Sequence, residues 1–491
     1  MKHFLLLFLI SLFNANNHII KRVYFVIPLV CSLHAFGQNE SFYKVFDFDS
    51  TSIAYKALQT PDGGYIVAGG IKKNNDDVYL LKLDSNGDTL WTKTFGDNSR
   101  DWAVDICITA DDQYLVVGRK DHYIDISSNG EAYGKIWILK FDVNGEIIWS
   151  KAYGDDFNNY AKKVVKTKDG GYIVSGVKGN QKINYMGDAW VLKLDELGDT
   201  VWTKTLHFSN YLSEGNSIIE SSENEYIITG STSIGSLADA GIFCAKLTYG
   251  GDTLWTRVFE GYSGNDIVET ADTCYIIVGR SSCQDVQMKI NNSGDVIWTE
   301  NFNSLEYCYH SNAICLNTNG NFVTVGNRID INDDINYPDD FWIKFCFENG
   351  DTLKSNVLDF SFHDIAYSVN KTSDNRYIVA GKSNNHACIL KLNEDISLSS
   401  QCQHYDTLNQ YINILGPVNG EIIINFDCKL NFSDVEICLY NSSGSKIYEN
   451  YVNNKTSSQK IINTSKFVSG LYILSITNKK NFFISKSVII L

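Results

Sequence analysis

Gly63-Gly-Tyr-Ile-Val-Ala-Gly69 is the stretch that decides the fold, because the chain repeats its pattern seven times. Each copy has an aromatic residue followed four positions later by glycine. The aromatic residues are Tyr65, Tyr114, Tyr172, Tyr226, Tyr275, Phe322 and Tyr377, and the glycines are Gly69, Gly118, Gly176, Gly230, Gly279, Gly326 and Gly381. A repeat of about 50 residues is typical of a solenoid, a propeller or an array.

Counting outward from the aromatic residue predicts four antiparallel strands in each repeat. Upstream lie a small residue (Ala54, Ala103, Ala161, Gly215, Gly264, Ser311, Ala366) and then a turn residue (Asp62, Asp111, Asp169, Glu223, Asp272, Asn319, Asp374). Downstream, a third strand ends near Asp84, and the turn Asn86-Gly87 leads to a fourth. The fourth strands carry Trp91, Trp149, Trp202, Trp255 and Trp298, with Lys354 in the sixth repeat. The pattern predicts an all-β, seven-bladed β-propeller.

The two ends of the repeat region indicate how the ring closes. The seventh repeat stops at Asn393 without a fourth strand, whereas Tyr43 to Asp47 reads as a fourth strand with no repeat before it. We therefore expect this N-terminal strand to pair with the strand around Ala387 to Leu392, which leaves no open edge at the seam.

The flanking segments predict export and a second domain. Lys21-Arg22, the apolar run Val23 to Leu33 and the small residues before Gln38 are typical of a signal peptide, with a membrane anchor as the alternative. We predict a leader over 1–37, the propeller over 38–396, a linker over 397–407 and a small C-terminal β-sandwich over 408–491.

The C-terminal segment resembles a known family. Leu439-Tyr-Asn441, Ser469-Gly-Leu-Tyr472 and Lys486-Ser-Val-Ile489 follow one another as in the C-terminal sorting domain of type IX secretion substrates of Bacteroidetes, although Gly416-Pro417 replaces the usual opening Asn-Pro. The resemblance implies handling by the type IX secretion machinery, export through the outer membrane and a secreted or cell-surface location. It also implies that the domain is an address commonly removed on attachment.

The repeats have a resemblance of their own. The segment Lys82 to Trp91 is similar to the tryptophan-docking motif of quinoprotein-like propellers, which implies that the tryptophan packs neighbouring blades together. No cofactor-binding signature accompanies the motif, so we expect no quinone and, apart from the Ca²⁺ considered below, no cofactor.

The net charge and the cysteines bear on the partners and the disulfides of this protein. A net charge of -15 argues against nucleic acid as the main partner. Beyond Cys31 in the leader, eleven of the twelve cysteines remain, and an odd number cannot all pair. Cys274 with Cys283, and Cys428 with Cys438, are close enough in sequence to form disulfides in an exported protein. Cys107 and Cys315 lie in apolar strands and are expected to be buried.

Recognition is expected on the face formed by the loops between strands two and three and by the segments that join blades. These segments are rich in aromatic, acidic and histidine residues, which suit sugar rings or peptide side chains. The ligand-binding candidates are Arg100, Asp101, Trp102, Tyr160, Glu214, Tyr309, His310, His363 and Asp364. Packing between blades is the alternative explanation for the aromatic residues.

A metal site is the second kind of candidate. Asp330, Asn332 and Asp334 alternate oxygen ligands in the manner of a Ca²⁺ loop. The sixth position is Ile335 and the twelfth is Phe341, so the loop is not an EF-hand, and a solvated acidic loop is the alternative.

The sequence contains no recognisable catalytic motif. We therefore expect a non-catalytic binding module for an extracellular glycan, peptide or envelope component. An enzyme acting on an extracellular polymer stays open, with axial candidates Asp101, Glu214, Asp266, His310 and Asp364, and so does a structural adhesin.

Overall fold

A computed structural model describes residues 41–491 except for short gaps. The gaps are 49, 73–75, 98, 124–131, 180–186, 209–211, 234–239, 303, 305, 332–338, 361–362, 394, 397–411, 419–420, 427–434, 442–445, 453–458, 469, 479–482 and 491. The predicted leader, the predicted linker, Asn332, Asp334 and Cys428 lie outside the described residues. Among the described residues, no helix is long and apolar enough to cross a membrane.

The first 28 strands form the repeat region. They are β1 (Phe42–Phe46), β2 (Thr51–Gln59), β3 (Tyr65–Lys72), β4 (Asp76–Leu83), β5 (Thr89–Phe95), β6 (Asp101–Ile108), β7 (Tyr114–Tyr123), β8 (Ala132–Phe141), β9 (Ile147–Tyr153), β10 (Tyr160–Lys166), β11 (Tyr172–Gly179), β12 (Gly187–Leu194), β13 (Thr200–Leu206) and β14 (Ser213–Glu220). They continue with β15 (Tyr226–Ser233), β16 (Ala240–Leu247), β17 (Thr253–Glu260), β18 (Ser263–Glu269), β19 (Tyr275–Ser281), β20 (Gln284–Ile290), β21 (Val296–Phe302), β22 (Tyr307–Leu316), β23 (Phe322–Asp330), β24 (Asp339–Cys346), β25 (Thr352–Leu358), β26 (Asp364–Lys371), β27 (Tyr377–Ser383) and β28 (His386–Leu392).

These strands form seven four-stranded antiparallel blades. Blades one to six follow chain order from β2 to β25, and blade seven has the order β26-β27-β28-β1. In β1, Phe42 lies opposite Lys391 and Phe46 opposite Ala387, which confirms the predicted closure by the N-terminal strand. The first strands of neighbouring blades contact one another around the whole ring, including β26 with β2, so they line the axis.

A bulge in every first strand explains the glycine column. In blade one the register shifts between Ala54 and Lys56, and the same shift follows the small residue in each other blade. At Gly69 an added Cβ would lie 2.0 Å from the carbonyl oxygen of Ile53. Glycine is required there because the carbonyl group before the small residue presses against the second strand.

The tryptophans join neighbouring blades at the outer rim. Each of the five is half-buried, and each lies against the glycine of the next blade's last turn, as Trp91 does against Gly145. Phe42, opposite Lys391, takes the tryptophan position in blade seven and lies against Gly87. The tryptophans thus pack neighbouring blades together as the resemblance implies, while part of each side chain stays exposed.

In the sixth blade both partners of this contact, the tryptophan and the glycine, are replaced. Lys354 replaces tryptophan, and Ile396 takes the glycine position in the turn of blade seven, with φ 57° and no exposed surface. Lys354 Nζ donates to the carbonyl oxygen of Asp395, and Asn356 donates to that of Ile396. At the equivalent glycines of other blades a Cβ would meet the indole, so a side chain at this position and an indole compete for the same space.

A lysine in most third strands is paired with the predicted turn acid of the same blade. Lys82 Nζ is 2.8 Å from Asp62 Oδ2, and Lys193 lies at the same distance from Asp169. Burial alone would raise the pKa of Asp62, but hydrogen bonds from Lys82, Thr60 and the Gly64 N–H lower it to about 2. In blade six Phe345 and Asn319 replace the pair, so both halves are lost together.

The contact between blades five and six includes a buried ion pair and a disulfide. Asp285 and Lys344 are buried with Nζ 2.8 Å from Oδ2, at positions where other blades carry apolar residues. Cys283 forms a disulfide with Cys308, which joins the short β19–β20 turn to β22. The expected Cys274–Cys283 pair is therefore wrong, because Cys308 of the next blade is closer in space than the nearer cysteine in sequence. Cys107 is buried as expected, whereas Cys315 is only partly buried.

The C-terminal segment forms two small antiparallel sheets. They contain β29 (Ile412–Val418), β30 (Glu421–Phe426), β31 (Val435–Asn441), β32 (Lys446–Val452), β33 (Gln459–Asn463), β34 (Gly470–Asn478) and β35 (Phe483–Ile490). One sheet has the order β29-β30-β33 and the other β32-β31-β34-β35, which fits the expected β-sandwich.

Candidate functional site

The residue that precedes the small residue in each first strand lies at the loop-face end of the axis, and we call the space that these residues surround the axial opening. This mouth ring consists of Ile53, Trp102, Tyr160, Glu214, Ser263, His310 and Ile365. Except for Ser263, which is buried, these side chains are half-buried. Each blade thus contributes one side chain to the opening, because the bulge holds the start of every first strand in the same orientation.

A second ring is formed by the bulged residues themselves. It consists of Tyr55, Val104, Lys162, Asn216, Asn265, Asn312 and Tyr367. The three asparagines donate to backbone oxygens of the next first strand, at Gly264, Ser311 and Ala366. These bonds hold the asparagine amides in fixed positions around one side of the axis.

The two rings divide the opening into two sectors. Blades seven and one to three contribute Tyr367, Tyr55, Trp102 and Tyr160, and the rings of Tyr55 and Tyr367 lie 5.1 Å apart. Blades four to six contribute the three asparagines and the polar mouth residues. The opening is therefore aromatic on one side and rich in hydrogen-bonding groups on the other.

Arg119 lies beside two rings of the aromatic sector. Its guanidinium lies 5.1 Å from the Trp102 ring centre and 6.0 Å from that of Tyr160. The Tyr160 hydroxyl donates to Glu214, whose carboxylate is also 3.7 Å from Lys162 Nζ. Burial and the Glu214 carboxylate raise the pKa of Tyr160 well above its ordinary value, so the phenol stays protonated.

Four charged side chains meet on the axis below the rings. Lys163 Nζ lies 3.1 Å from Asp266 Oδ1, two blades away, and Lys56 Nζ lies 4.0 Å from Asp105 Oδ1. Burial and the neighbouring Lys163 lower the pKa of Lys56. Burial alone would raise the pKa of Asp266, but Lys163 and Lys56 hold it below its ordinary value. The four charged groups therefore form two ion pairs with one another.

Asp101 and Asp364 are structural side chains in this arrangement. Both are fully buried, and each accepts a hydrogen bond from the N–H four residues earlier, at Asp97 and Phe360. Burial raises the pKa of Asp101 to about 6. They hold the blade-joining segments and do not reach the opening, which leaves Glu214 and His310 as the predicted axial acid and histidine within it.

The other ligand-binding candidates are spread over the loop face. Arg100 is exposed and lies 3.8 Å from Asp76, and His363 Nδ1 lies 3.7 Å from Asp339. Tyr309 is buried against Phe302 and Trp342. His310 Nε2 is 3.2 Å from the Ser282 carbonyl oxygen, and burial followed by the nearby Arg280 lowers its pKa. Trp102, Tyr160, Glu214 and His310 are thus the candidates that share one opening.

The calcium prediction remains a prediction. Asp330 ends β23 opposite Tyr307, while its two partners lie in the gap 332–338. Among the described residues, no group of three or more acidic, cysteine or histidine side chains has an arrangement that could hold a metal ion.

Sequence reasoning missed Arg119, Lys162 and the bulge asparagines. Arg119 follows the repeated glycine directly, and Lys162 follows the repeated small residue. The glycine and the small residue recur in every repeat. Once the bulge is known, the residue that follows each of them can be assigned to the lining of the axial opening.

Comparison with known proteins assigns the C-terminal segment. Residues 416–491 match the secretion system C-terminal sorting domain. No curated protein matches the chain. Similar solved structures include the Dos1 propeller (13% identity, 72% of this chain and 81% of that one, TM-score 0.45). Another is U3-55K, with 12% identity over 72% of this chain and 98% of that one, at a TM-score of 0.48. A third is Sqt1 of Chaetomium thermophilum, with 9% identity over 72% of this chain and 96% of that one, at a TM-score of 0.42.

At these scores the propeller assignment rests on the strand pairing of this chain itself. The sorting-domain match agrees with the order of the three motifs at Leu439, Ser469 and Lys486. The chain is thus a seven-bladed β-propeller with a type IX secretion sorting domain at 416–491, and the protein is secreted or located at the cell surface.

Proposed function

We propose that the propeller is a non-catalytic binding module whose axial opening on the loop face holds an extracellular glycan. The two-sector lining carries this proposal. Sugar rings present apolar C–H faces and polar hydroxyl edges, so a site with aromatic side chains opposite fixed amides matches both. The asparagine amides are held by backbone oxygens of the next blade and need little ordering when a ligand binds.

The charged groups at the axis support binding over hydrolysis. Glycosidases use two carboxyl groups on either side of the bond that is cleaved. Here Asp266 is paired with Lys163, and Asp101 and Asp364 are buried in the blade-joining segments. Asp105 is paired with Lys56, and Glu214, the other predicted axial acid among the described residues, is held by Tyr160 and Lys162. Export by the sorting domain places the opening where extracellular polymers occur.

The test is a glycan array with the purified full chain, followed by calorimetry on the oligosaccharides that bind. Trp102→Ala should abolish binding, because it removes an aromatic wall of the opening. Trp255→Ala is the matched control, since that indole also lies beside an arginine, but on the outer rim. Circular dichroism and thermal melts verify that both variants are folded.

Two outcomes would contradict the proposal. Release of new reducing ends that stops with Glu214→Gln would make the protein an enzyme. Binding to peptides with no response to any glycan would assign the opening to a protein partner.

A further inference from the structure

Arg119 occupies a prepared position between two aromatic rings. It lies on β7 opposite Trp102, and its side chain is 12% exposed. An added Cβ at Gly134 would lie 2.3 Å from Arg119 Nε, so this glycine leaves the space that the guanidinium needs. The rings of Trp102 and Tyr160, Gly134 and Asp121 together fix the arginine before any ligand arrives.

The guanidinium uses only part of its hydrogen-bonding capacity. Nε donates to Asp121, and within the described residues the two terminal nitrogens have no acceptor. Arginine has five N–H donors in a planar fork, so the terminal N–H groups are available to an acceptor on a ligand. Two parallel N–H groups match the two oxygens of a carboxylate or a sulfate.

We propose that Arg119 recognises a carboxylate or sulfate group, so that the ligand of the axial opening is an acidic glycan. This inference rests on the proposed glycan-binding function and names its substrate class. Lys162, the other cation in the aromatic sector, is already 3.7 Å from Glu214. Recognition therefore depends on the geometry of the fork and not on a net positive surface, which a protein of charge -15 does not have.

Calorimetry on the full chain tests this with three probes: an oligogalacturonate (carboxylate), a sulfated dextran oligosaccharide (sulfate) and a maltooligosaccharide (neutral). We expect one of the acidic probes to bind at least about tenfold more tightly than the neutral one. Arg119→Lys keeps the charge but removes the fork, and it should lose about tenfold or more of that affinity. Arg257→Lys is the matched control, since Arg257 lies 5.6 Å from the Trp255 ring at the outer rim. It should leave affinity unchanged.

Lys162→Met separates the fork from general electrostatics. A loss as large as that of Arg119→Lys would overturn the inference, because charge alone would then explain binding. Equal affinity for neutral and acidic probes, with no effect of Arg119→Lys, would overturn it while the glycan-binding function stands. Failure to bind any glycan would overturn both. Equal thermal midpoints of the variants exclude misfolding as the cause.

Discussion

The indole of Trp149 lies against Gly198 of the following blade, so closely that a Cβ at Gly198 would come within 2.7 Å of the ring. Gly198 has φ +80°, where any other residue is strained by about 1 to 2 kcal/mol. Gly198→Ala should therefore destabilise the propeller by about 2 kcal/mol or more, through backbone strain and displacement of the indole. Urea unfolding measures the loss, and Val201→Ala, at a side chain 59% exposed, is the control.

Trp149→Ala should cost about 2 kcal/mol, less than a core tryptophan because one side of the indole is exposed. The double variant should cost less than the sum of the two single ones, since each removes the same contact. Additive losses would show that the indole and the glycine are energetically independent.

Lys354→Trp should destabilise blade six, although it restores the residue of the other blades. Ile396 is fully buried at the position where, in other blades, a Cβ would meet the indole. Lys354→Trp with Ile396→Gly should recover much of the loss, because it recreates the pair found at Trp149 and Gly198. A stability gain from Lys354→Trp alone, measured by urea unfolding, would show that Ile396 does not fill this space.

Asp285→Ile should be strongly destabilising, by about 3 to 5 kcal/mol, because it leaves the buried Lys344 ammonium without its partner. The double variant Asp285→Ile with Lys344→Leu introduces apolar residues that other blades carry at these positions, and it should be far more stable than the single variant. Thermal and urea unfolding measure both. If the double variant is no more stable than Asp285→Ile, the ion pair is not the source of the loss.

Cys283→Ser with Cys308→Ser should lower stability by about 3 to 4 kcal/mol, because the disulfide closes a loop with a sequence separation of 25 residues. Cys274→Ser should have little effect, since Cys274 is not in the disulfide. Unfolding in the presence and absence of a reducing agent gives the comparison. Reduction that destabilises the Cys274→Ser variant no more than the double variant would contradict the pairing.

Stability should fall as pH rises from about 4 to 7 because of Asp101. Burial raises the pKa of this carboxyl to about 6, above its unfolded value of about 4. A raised folded-state pKa contributes stability that is complete below the unfolded pKa and is lost as pH passes the folded one. The expected loss is about 2 to 3 kcal/mol.

Asp101→Asn should remove this slope and stabilise the protein at pH 7. Asn159 occupies the same position in blade three, where its amide donates to Asp155 and Gly134, so the fold accepts asparagine there. Unfolding free energies measured from pH 4 to 8 decide the matter. An unchanged slope in the variant would assign the pH dependence to other groups.

Much of the fold was predictable from the sequence because each blade is encoded locally. Alternating apolar residues, turn residues near Asp62 and Asn86, and the glycine at 69 recur with little variation, and each signal acts over a few residues. The closing strand followed from counting strands at the two ends, and the sorting domain from three motifs in order. The strands and turns of each blade depend on hydrogen bonding and turn geometry within one repeat.

Only the tertiary structure decided which residues share the axial opening. Trp102, Arg119, Tyr160 and Glu214 come from three blades, and they meet because the ring brings the first strands together at the axis. The packing of neighbouring blades also buries Asp101 and brings Cys283 next to Cys308, with which it forms a disulfide. Sequence spacing carries no information about distances across the ring, because those distances are set by blade packing. The repeated sequence therefore determined the fold, whereas the packing of the seven blades around one axis determined which residues line the site.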